Sequence, residues 1–311
     1  MSFLVAMARA HYHDNAFDAF TASSGYSLEN ARAMMWMSQL AYDTDDRPKV
    51  ESVLDAWGLG LRAFVTNNPI TGFPLGSACV VVAGGRGATI VSFAGTDPLK
   101  VSDWHTEFSA LPSPDGLHRG FANALDSAWS PIEGAIAARP NTEQALFFTG
   151  HSLGGALALI AAERAARDPA VNARATGVYV FGCPRAGGDA FFNSYTPLFG
   201  DSTFRLVHGS DIVATVPPAG LFRHVGRLIQ CDSGRLFTSQ TPMSDHDNDN
   251  PEMAESVEAA LKADARDIVE TGVINPPIGT RPVAQAARDL LRVFRDHVPD
   301  NYFHALSVTI G

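Results

Sequence analysis

At 311 residues, with 46% hydrophobic and 18% charged side chains, the chain has the composition of a globular protein that can bury a sizeable core. A net charge of −10 argues against the basic face that a nucleic-acid binder needs to track phosphates, and against electrostatic attachment to anionic lipid. Cys79, Cys183 and Cys231 are odd in number and far apart, so they supply no disulfide framework, and Cys79 and Cys183 lie in segments that read as core.

The opening "MSFLVAMARAHYHD" holds a short apolar run with no basic lead, too short for a secretory signal or a membrane span. It predicts a cytoplasmic chain without a transmembrane segment. Residues 27 to 42, "SLENARAMMWMSQLAY", carry Ala31, Met34, Met35, Ala41 and Tyr42 at helical spacing and predict an amphipathic packing helix. The stretch "SACVVVAGGRGATIVSFAG" gives two β-branched runs joined by Gly84-Gly85-Arg86-Gly87, a hairpin signal. Beyond it the pattern alternates: helical "GFANALDSAWSPIEGAIAAR", strand "ALFFTG", a helix from Leu153, then strands "TGVYVFG" and "TFRLVH". Alternation of this kind predicts an α/β fold, with a mostly parallel central sheet flanked by helices and an antiparallel N-terminal hairpin. Ligands then belong at the carboxyl ends of the strands, where "GTD", "GHS" and "HGSD" fall.

Past Phe222 the chain becomes polar, through "TPMSDHDNDNPE", a helical pattern over Met253 to Val269, and a final amphipathic pattern with Val283, Ala287, Leu290 and Phe294 on one side. With no repeats and no linker, residues 1–311 read as a single domain. The alternating Asp245, Asp247 and Asp249 do not form a calcium loop of the helix-loop-helix type, because Asn250 stands where the turn needs Gly and Ser256 where a bidentate Glu is needed. No His/Cys cluster suggests zinc, and "AGGRG" lacks the Lys and the following helix of a phosphate loop, so neither a metal nor a cofactor is expected.

The segment "LFFTGHSLGGALALIAA" carries Gly150-His151-Ser152-Leu153-Gly154 between a buried strand pattern and a helix that is apolar on most sides. Small residues two before and two after a serine let strand and helix approach closely, and the sharp turn presents Ser152 as a candidate nucleophile. Such a serine needs an imidazole, a carboxylate to fix the imidazole's tautomer, and backbone N–H donors for an oxyanion. Asp211, just past the strand "TFRLVH", is the candidate acid. His224, His246, His297 and His304 all follow it. His297 is preferred, since it sits on a loop between the last amphipathic helix pattern and Pro299, with His304 next.

In these blocks the chain resembles the class 3 lipases, the fungal-lipase-like branch of the α/β-hydrolases. The resemblance rests on "VSFAGTDPLKVSDW", "LHRGFANAL", "FTGHSLGGALALI", "VYVFGCPRAGG" with "FRLVHGSDIVATVPP", and "DHVPDNYFHAL", in that order. It implies Ser152 as nucleophile, Asp211 as acid and His297 as base, the last because a tyrosine, here Tyr302, follows that histidine by five residues. It implies an oxyanion hole from the amides of Leu153 and Thr96, with the Thr96 hydroxyl as a further donor. Two positions depart from the family pattern: Ala94 stands for an usual Arg, and Gly188 for an usual Asn. The long interval from Asp211 to His297 marks residues 232–285 as an insertion.

The implied activity is hydrolysis of carboxylic esters, foremost acylglycerol-type esters, through an acyl-serine intermediate and without a cofactor. A phospholipase A1 or an aryl-ester (feruloyl-type) esterase is the alternative within the same chemistry. A catalytically silent binding protein on the hydrolase fold is the alternative outside it, and amide substrates remain chemically open. "PLKVSDWHTEFSALP" places Val101, Trp104, Phe108 and Leu111 on one stripe, which suits either a core-packed helix or a lid meeting a lipid–water interface. Trp104, Phe108, Val213 and Val216 are the candidate substrate and lid contacts.

Overall fold

A computed structural model of the chain describes residues 7–66, 78–95, 112–217, 219–241, 243–244 and 296–310. Eight strands form one sheet whose spatial order is the order of the sequence. They are β1 (Gly60–Val65), β2 (Val80–Gly85), β3 (Ala88–Phe93), β4 (Ala145–His151), β5 (Gly177–Phe181), β6 (Thr203–His208), β7 (Arg227–Cys231) and β8 (Met243–Ser244). β1, β2 and β3 pair antiparallel, β3 through β7 run parallel, and β8 returns antiparallel on β7. The antiparallel start contains the expected hairpin, β2–β3, which β1 extends into a three-stranded meander. β1 escapes the sequence reading because its pattern, "GLRAFV", is half-buried apart from an exposed Arg62 and has no fully buried position.

The hairpin between β2 and β3 closes on Arg86-Gly87, with Gly85 paired to Ala88. Arg86 and Gly87 take φ of 50° and 80°, the pair of left-handed residues that a tight two-residue hairpin needs to follow strand twist. Arg86 tolerates this because its guanidinium is tied down, donating to the carbonyls of Trp57 (2.5 Å) and Phe17 (2.9 Å).

Strands in sequential order with right-handed crossovers wind in one direction, which puts the intervening helices on a single face. The α3 (Arg119–Ala137), α4 (Leu153–Arg167) and α5 (Asp189–Phe199) helices follow this rule. They pack Phe121, Leu125, Leu157, Ile160, Phe191 and Tyr195 against Val80, Val82, Val91, Phe148, Val178 and Val180. The alternate residues of the same strands, Val81, Ile90, Phe147, Tyr179, Phe181, Phe204 and Leu206, point to the other face. There they meet α1 (Leu28–Leu40), α2 (Arg47–Ala56) and α6 (Pro299–Ala305), which come from the two ends of the chain.

The α1 helix starts at Ser27, whose Oγ accepts from the Asn30 amide at 3.0 Å, and α2 at Asp46, whose carboxylate accepts from Lys49 N–H at 3.1 Å. Unlike the amphipathic helix expected, α1 is buried almost all round: Ala33, Met34, Met35, Trp36, Met37, Ser38 and Gln39 are all inside. It lies between the sheet and a second cover made by the N-terminal segment and α6, with Trp36 against Phe303 at 4.4 Å between ring centres. Ser38 on α1 and Ser92 facing it find partners inside the core. Ser38 Oγ donates to Met34 O (2.8 Å) and lies 2.9 Å from Thr149 Oγ1, and Ser92 Oγ donates to Met37 O (2.7 Å), so hydrogen bonds fix the register of α1 on β3 and β4.

The C-terminal helical patterns and most of residues 232–285 lie outside the described residues. Among the described residues no helix is long and apolar enough to cross a membrane, and no group of three His, Cys, Asp or Glu side chains is arranged to hold a metal ion.

The close approach of α4 to the sheet depends on two glycines. A Cβ on Gly150 would lie 2.2 Å from the backbone of Gly154, and a Cβ on Gly154 would lie 2.3 Å from the carbonyl oxygen of Phe93. Both contacts are with backbone, which cannot swing aside. Gly154→Ala should therefore destabilise the fold by about 3 kcal/mol, measured as a lowered urea midpoint. An unchanged midpoint would mean that α4 does not pack this tightly.

Candidate active site

The turn between β4 and α4 holds Ser152 at φ 59° and ψ −133°, outside the regions that a non-glycine residue ordinarily occupies. Such a conformation costs about 1–3 kcal/mol and persists only where the surroundings enforce it. Here the Ser152 amide donates to Phe181 O on β5 at 2.9 Å, and its carbonyl accepts from the Gly155 amide at 2.9 Å. The serine is thus pinned between two strands and the first turn of α4. Its hydroxyl is buried and has no hydrogen-bond partner among the described residues. Leu153, the first residue of α4, contributes one of the amides at the helix N-terminus that have no intrahelical acceptor, next to the positive end of the helix dipole.

Asp211 follows β6 and His297 precedes α6, 86 residues apart in sequence, yet they touch. His297 Nδ1 lies 2.9 Å from both carboxylate oxygens of Asp211. A carboxylate can only accept, so Nδ1 carries the proton, which leaves the Nε2 lone pair as the basic site of the neutral ring. Asp211 accepts two further hydrogen bonds, from the Tyr302 hydroxyl (2.6 Å) and the Val213 amide (2.9 Å). Burial works to raise its pKa, but the charge of His297 and the hydrogen bonds from His297 and Tyr302 outweigh burial and hold the carboxyl below its ordinary value. Tyr302 is shifted the opposite way, well above the usual phenol value, by burial and by the Asp211 charge, so it stays a hydrogen-bond donor.

Asp211 and His297 close over Gly182, at the end of β5. This residue has φ 55°, and a Cβ there would lie 2.4 Å from Asp211 Oδ2 and 2.9 Å from His297 Nδ1. The Asp211 loop is braced from below by Arg185, buried, whose guanidinium donates to the carbonyls of Thr215 and Pro217. His297 is held by its neighbour Asp296, which accepts from the Ser210 amide (3.0 Å) and the Ser233 hydroxyl (3.1 Å) and so ties the His297 segment to the residue before Asp211. Beside these, His151 stacks on His297 with ring centres 4.6 Å apart.

Of the residues singled out from sequence, Ser152, Leu153, Asp211 and His297 converge at the carboxyl ends of β4, β5 and β6. His304 is exposed on α6, and His224 is buried elsewhere, donating from Nε2 to Ala214 O at 2.7 Å. Val213 is buried with its amide engaged by Asp211, and Val216 is half-buried with its carbonyl accepting from the Arg185 amide. Thr96, Trp104, Phe108 and His246 lie outside the described residues. Gly95 marks where the Thr96 segment begins: a Cβ on it would meet Ser152 Cβ at 2.9 Å, so the end of β3 abuts the turn. At Gly188 a side chain has no room, since its Cβ would fall 2.6 Å from Leu221 O. The sequence reading missed His151, Gly182, Arg185 and Asp296. Gly182, directly after a strand, carried a local signal; the others are recognisable only from what they touch.

Two buried histidines set an acid limit on stability. Burial, reinforced by the charge of His297, pulls His151 down to about 3. Burial with Arg205 and Arg185 pulls His224 well below its ordinary value. In the unfolded chain each binds a proton near pH 6.5. Below that pH the unfolded state holds more protons than the folded one, so stability falls on acidification by about 1.4 kcal/mol per pH unit for each histidine. Asp211, whose folded value is depressed, contributes stability above the ordinary carboxylate range that is lost as the pH falls through its folded value. Urea unfolding should show this slope from pH 6.5 downward, and His224→Gln should remove about half of the part due to the two histidines. Identical slopes in variant and parent would contradict the burial of a neutral His224.

Residues 90–221 match the family described as Lipase (class 3). A secreted mono- and diacylglycerol lipase of Fusarium solani is 32% identical over 173 residues, covering 53% of this chain and 50% of that protein. A triacylglycerol lipase of Arabidopsis thaliana is 26% identical over 211 residues, covering 52% and 40%. The chain thus spans about half the length of the curated relatives it matches. Among solved structures, a lipase from Rhizopus microsporus var. chinensis superposes with a TM-score of 0.56 at 18% identity, covering 76% of this chain and 84% of that one. By its matching segment and its relatives, residues 90–221 are similar to the class 3 lipases, and the mostly parallel sheet has the α/β-hydrolase fold.

Proposed function

We propose that the chain is a serine hydrolase that cleaves carboxylic esters of the acylglycerol type through an acyl-Ser152 intermediate. The observation that carries this reading is a buried, hydrogen-bonded Asp211–His297 pair gathered with a strained serine whose hydroxyl has no partner among the described residues. In the reaction, His297 Nε2 takes the Ser152 proton as Oγ adds to the ester carbonyl carbon. The amides of Leu153 and Thr96, with the Thr96 hydroxyl, hold the oxyanion. As the tetrahedral species collapses, the C–O bond to the alcohol breaks and His297 returns the proton to the leaving oxygen. Water then repeats the sequence on the acyl-serine and releases the acid. Asp211 stays ionised throughout, fixing the tautomer and supporting the imidazolium.

The acylglycerol class rests on the relatives, which are named as lipases of mono-, di- and triacylglycerols. The stripe Val101, Trp104, Phe108 and Leu111 supports a lid whose apolar side meets a lipid–water interface. We read residues 1–311 as one α/β-hydrolase domain, with 232–285 an insertion or cap within it. A cytoplasmic location finds no support in the relatives, one of which is named as secreted, and export is the reading that agrees with that relative.

Ser152→Ala should lower ester hydrolysis by about 10⁴-fold or more and abolish labelling by a fluorophosphonate probe while the urea midpoint stays close to that of the parent. A parent protein that is never labelled would instead favour a silent binding protein. Rates on p-nitrophenyl esters of rising chain length should favour long chains and rise when the substrate forms an emulsion. A preference for short soluble esters with no interfacial gain would place the substrate outside the lipids.

A further inference from the structure

His151, the residue before the nucleophile, is fully buried and has both ring nitrogens engaged. Its Nε2 lies 2.7 Å from the main-chain carbonyl oxygen of His297, and its Nδ1 lies 2.9 Å from the Tyr42 hydroxyl. The assignment of protons follows from chemistry. A carbonyl oxygen only accepts, so Nε2 bears the proton. Burial keeps the ring neutral, as does the neighbouring His297, so Nδ1 is bare and the Tyr42 hydroxyl must donate to it. The ring lies flat against that of His297, 4.6 Å between centres and 29° from parallel, while Tyr302 meets its edge at 5.6 Å.

Tyr42 is itself fixed. It sits in the single turn Ala41–Asp43 that ends α1, and the next residue, Asp43, is buried and accepts from the Tyr12 hydroxyl (2.5 Å) and Lys49 Nζ (3.0 Å). Its hydroxyl reaches the site only because residue 95 is glycine: a Cβ there would lie 2.4 Å from that oxygen. A chain of contacts therefore runs from the end of α1, past the end of β3, through His151 to the backbone of the base.

We propose that His151, with its tautomer set by Tyr42, is a positioning residue for His297: it grips the base through its main-chain carbonyl and supports its ring face. The proposal rests on the serine-hydrolase reading above. His297 bonds Asp211 through Nδ1, which limits sliding along that bond but leaves rotation about it to be restrained by the ring faces. His151 supplies that restraint and has to stay neutral to do so, since His297 becomes cationic on one face of it during each proton transfer. Asp211, bonded to His297, and Tyr302, at the edge of His151, carry no second positive charge to the pair.

The test uses the full chain and two readouts. One is kcat and KM on a p-nitrophenyl ester. The other, taken without substrate, is the low-field proton NMR resonance of the His297 Nδ1–H shared with Asp211. His151→Leu should lower kcat by about 10- to 100-fold with KM within about twofold, and should broaden or shift the resonance. His151→Gln, which keeps an N–H for the carbonyl, should recover most of the loss. Tyr42→Phe, the removal of one oxygen, should produce a smaller change in the same direction and serves if the leucine variant does not fold. The proposal is overturned if the resonance and kcat of the leucine and phenylalanine variants match the parent. It is equally overturned if glutamine and leucine lose activity alike in step with a fall in Tm. Because the resonance needs no substrate, a parent that hydrolyses no ester would defeat the hydrolase reading while the resonance still decides the role of His151.

Discussion

The structure turns on how closely α4 is pressed against the ends of β3 and β4. With no side chain at Gly150 or Gly154, backbone meets backbone, and the chain has no room to pass from strand to helix through an ordinary conformation. Ser152 is driven to positive φ as a result, and its hydroxyl is left without a partner among the described residues. The strain is small beside the burial that enforces it, since Ala156, Leu157, Leu159 and Ile160 on α4 are all inside the core. A serine on a relaxed turn would be free to bond its own backbone, as serines in turns commonly do.

Around that point the sheet acts as a jig. Sequential, right-handed winding sends α3, α4 and α5 to one face and leaves the other for segments from the two ends of the chain. This explains why the proposed base arrives from residue 297 and why Tyr42 arrives from α1. Both belong to the face that the crossover helices cannot fill. The buried carboxylate of Asp211 is tolerated for a local reason: every approach to it is a donor, from His297, Tyr302 and the Val213 amide. Burying an unpaired carboxylate would cost several kcal/mol, so the same contacts that make the acid stable also orient the imidazole.

Legibility in the sequence follows the range of the forces involved. The elbow, the β2–β3 hairpin and the strands β4, β5 and β6 are local patterns, written in glycine spacing and runs of β-branched and aromatic residues, and they stand where expected. Helix α1 was legible as a helix but not as a buried one, because its polar residues, Ser38 and Gln39 among them, find partners only in the folded core. Strands β1 and β7 and helices α2 and α5 were not legible. β1 and α2 mix polar and half-buried positions, and a segment covered on one side by neighbours distant in sequence need not advertise a face of its own.

From sequence alone, the chain's alternation of strands and helices determined a mostly parallel sheet, and Gly150-x-Ser152-x-Gly154 determined a sharp turn bearing a serine. Those features depend on contacts within a few residues, where spacing dictates geometry. Among four histidines that follow Asp211, only the tertiary structure decided which one meets it, and only the tertiary structure brought His151, Asp296 and Gly182 around the pair. A hydrogen-bonded pair across 86 residues has no periodicity to read, because its two halves are brought together by the packing of everything between them.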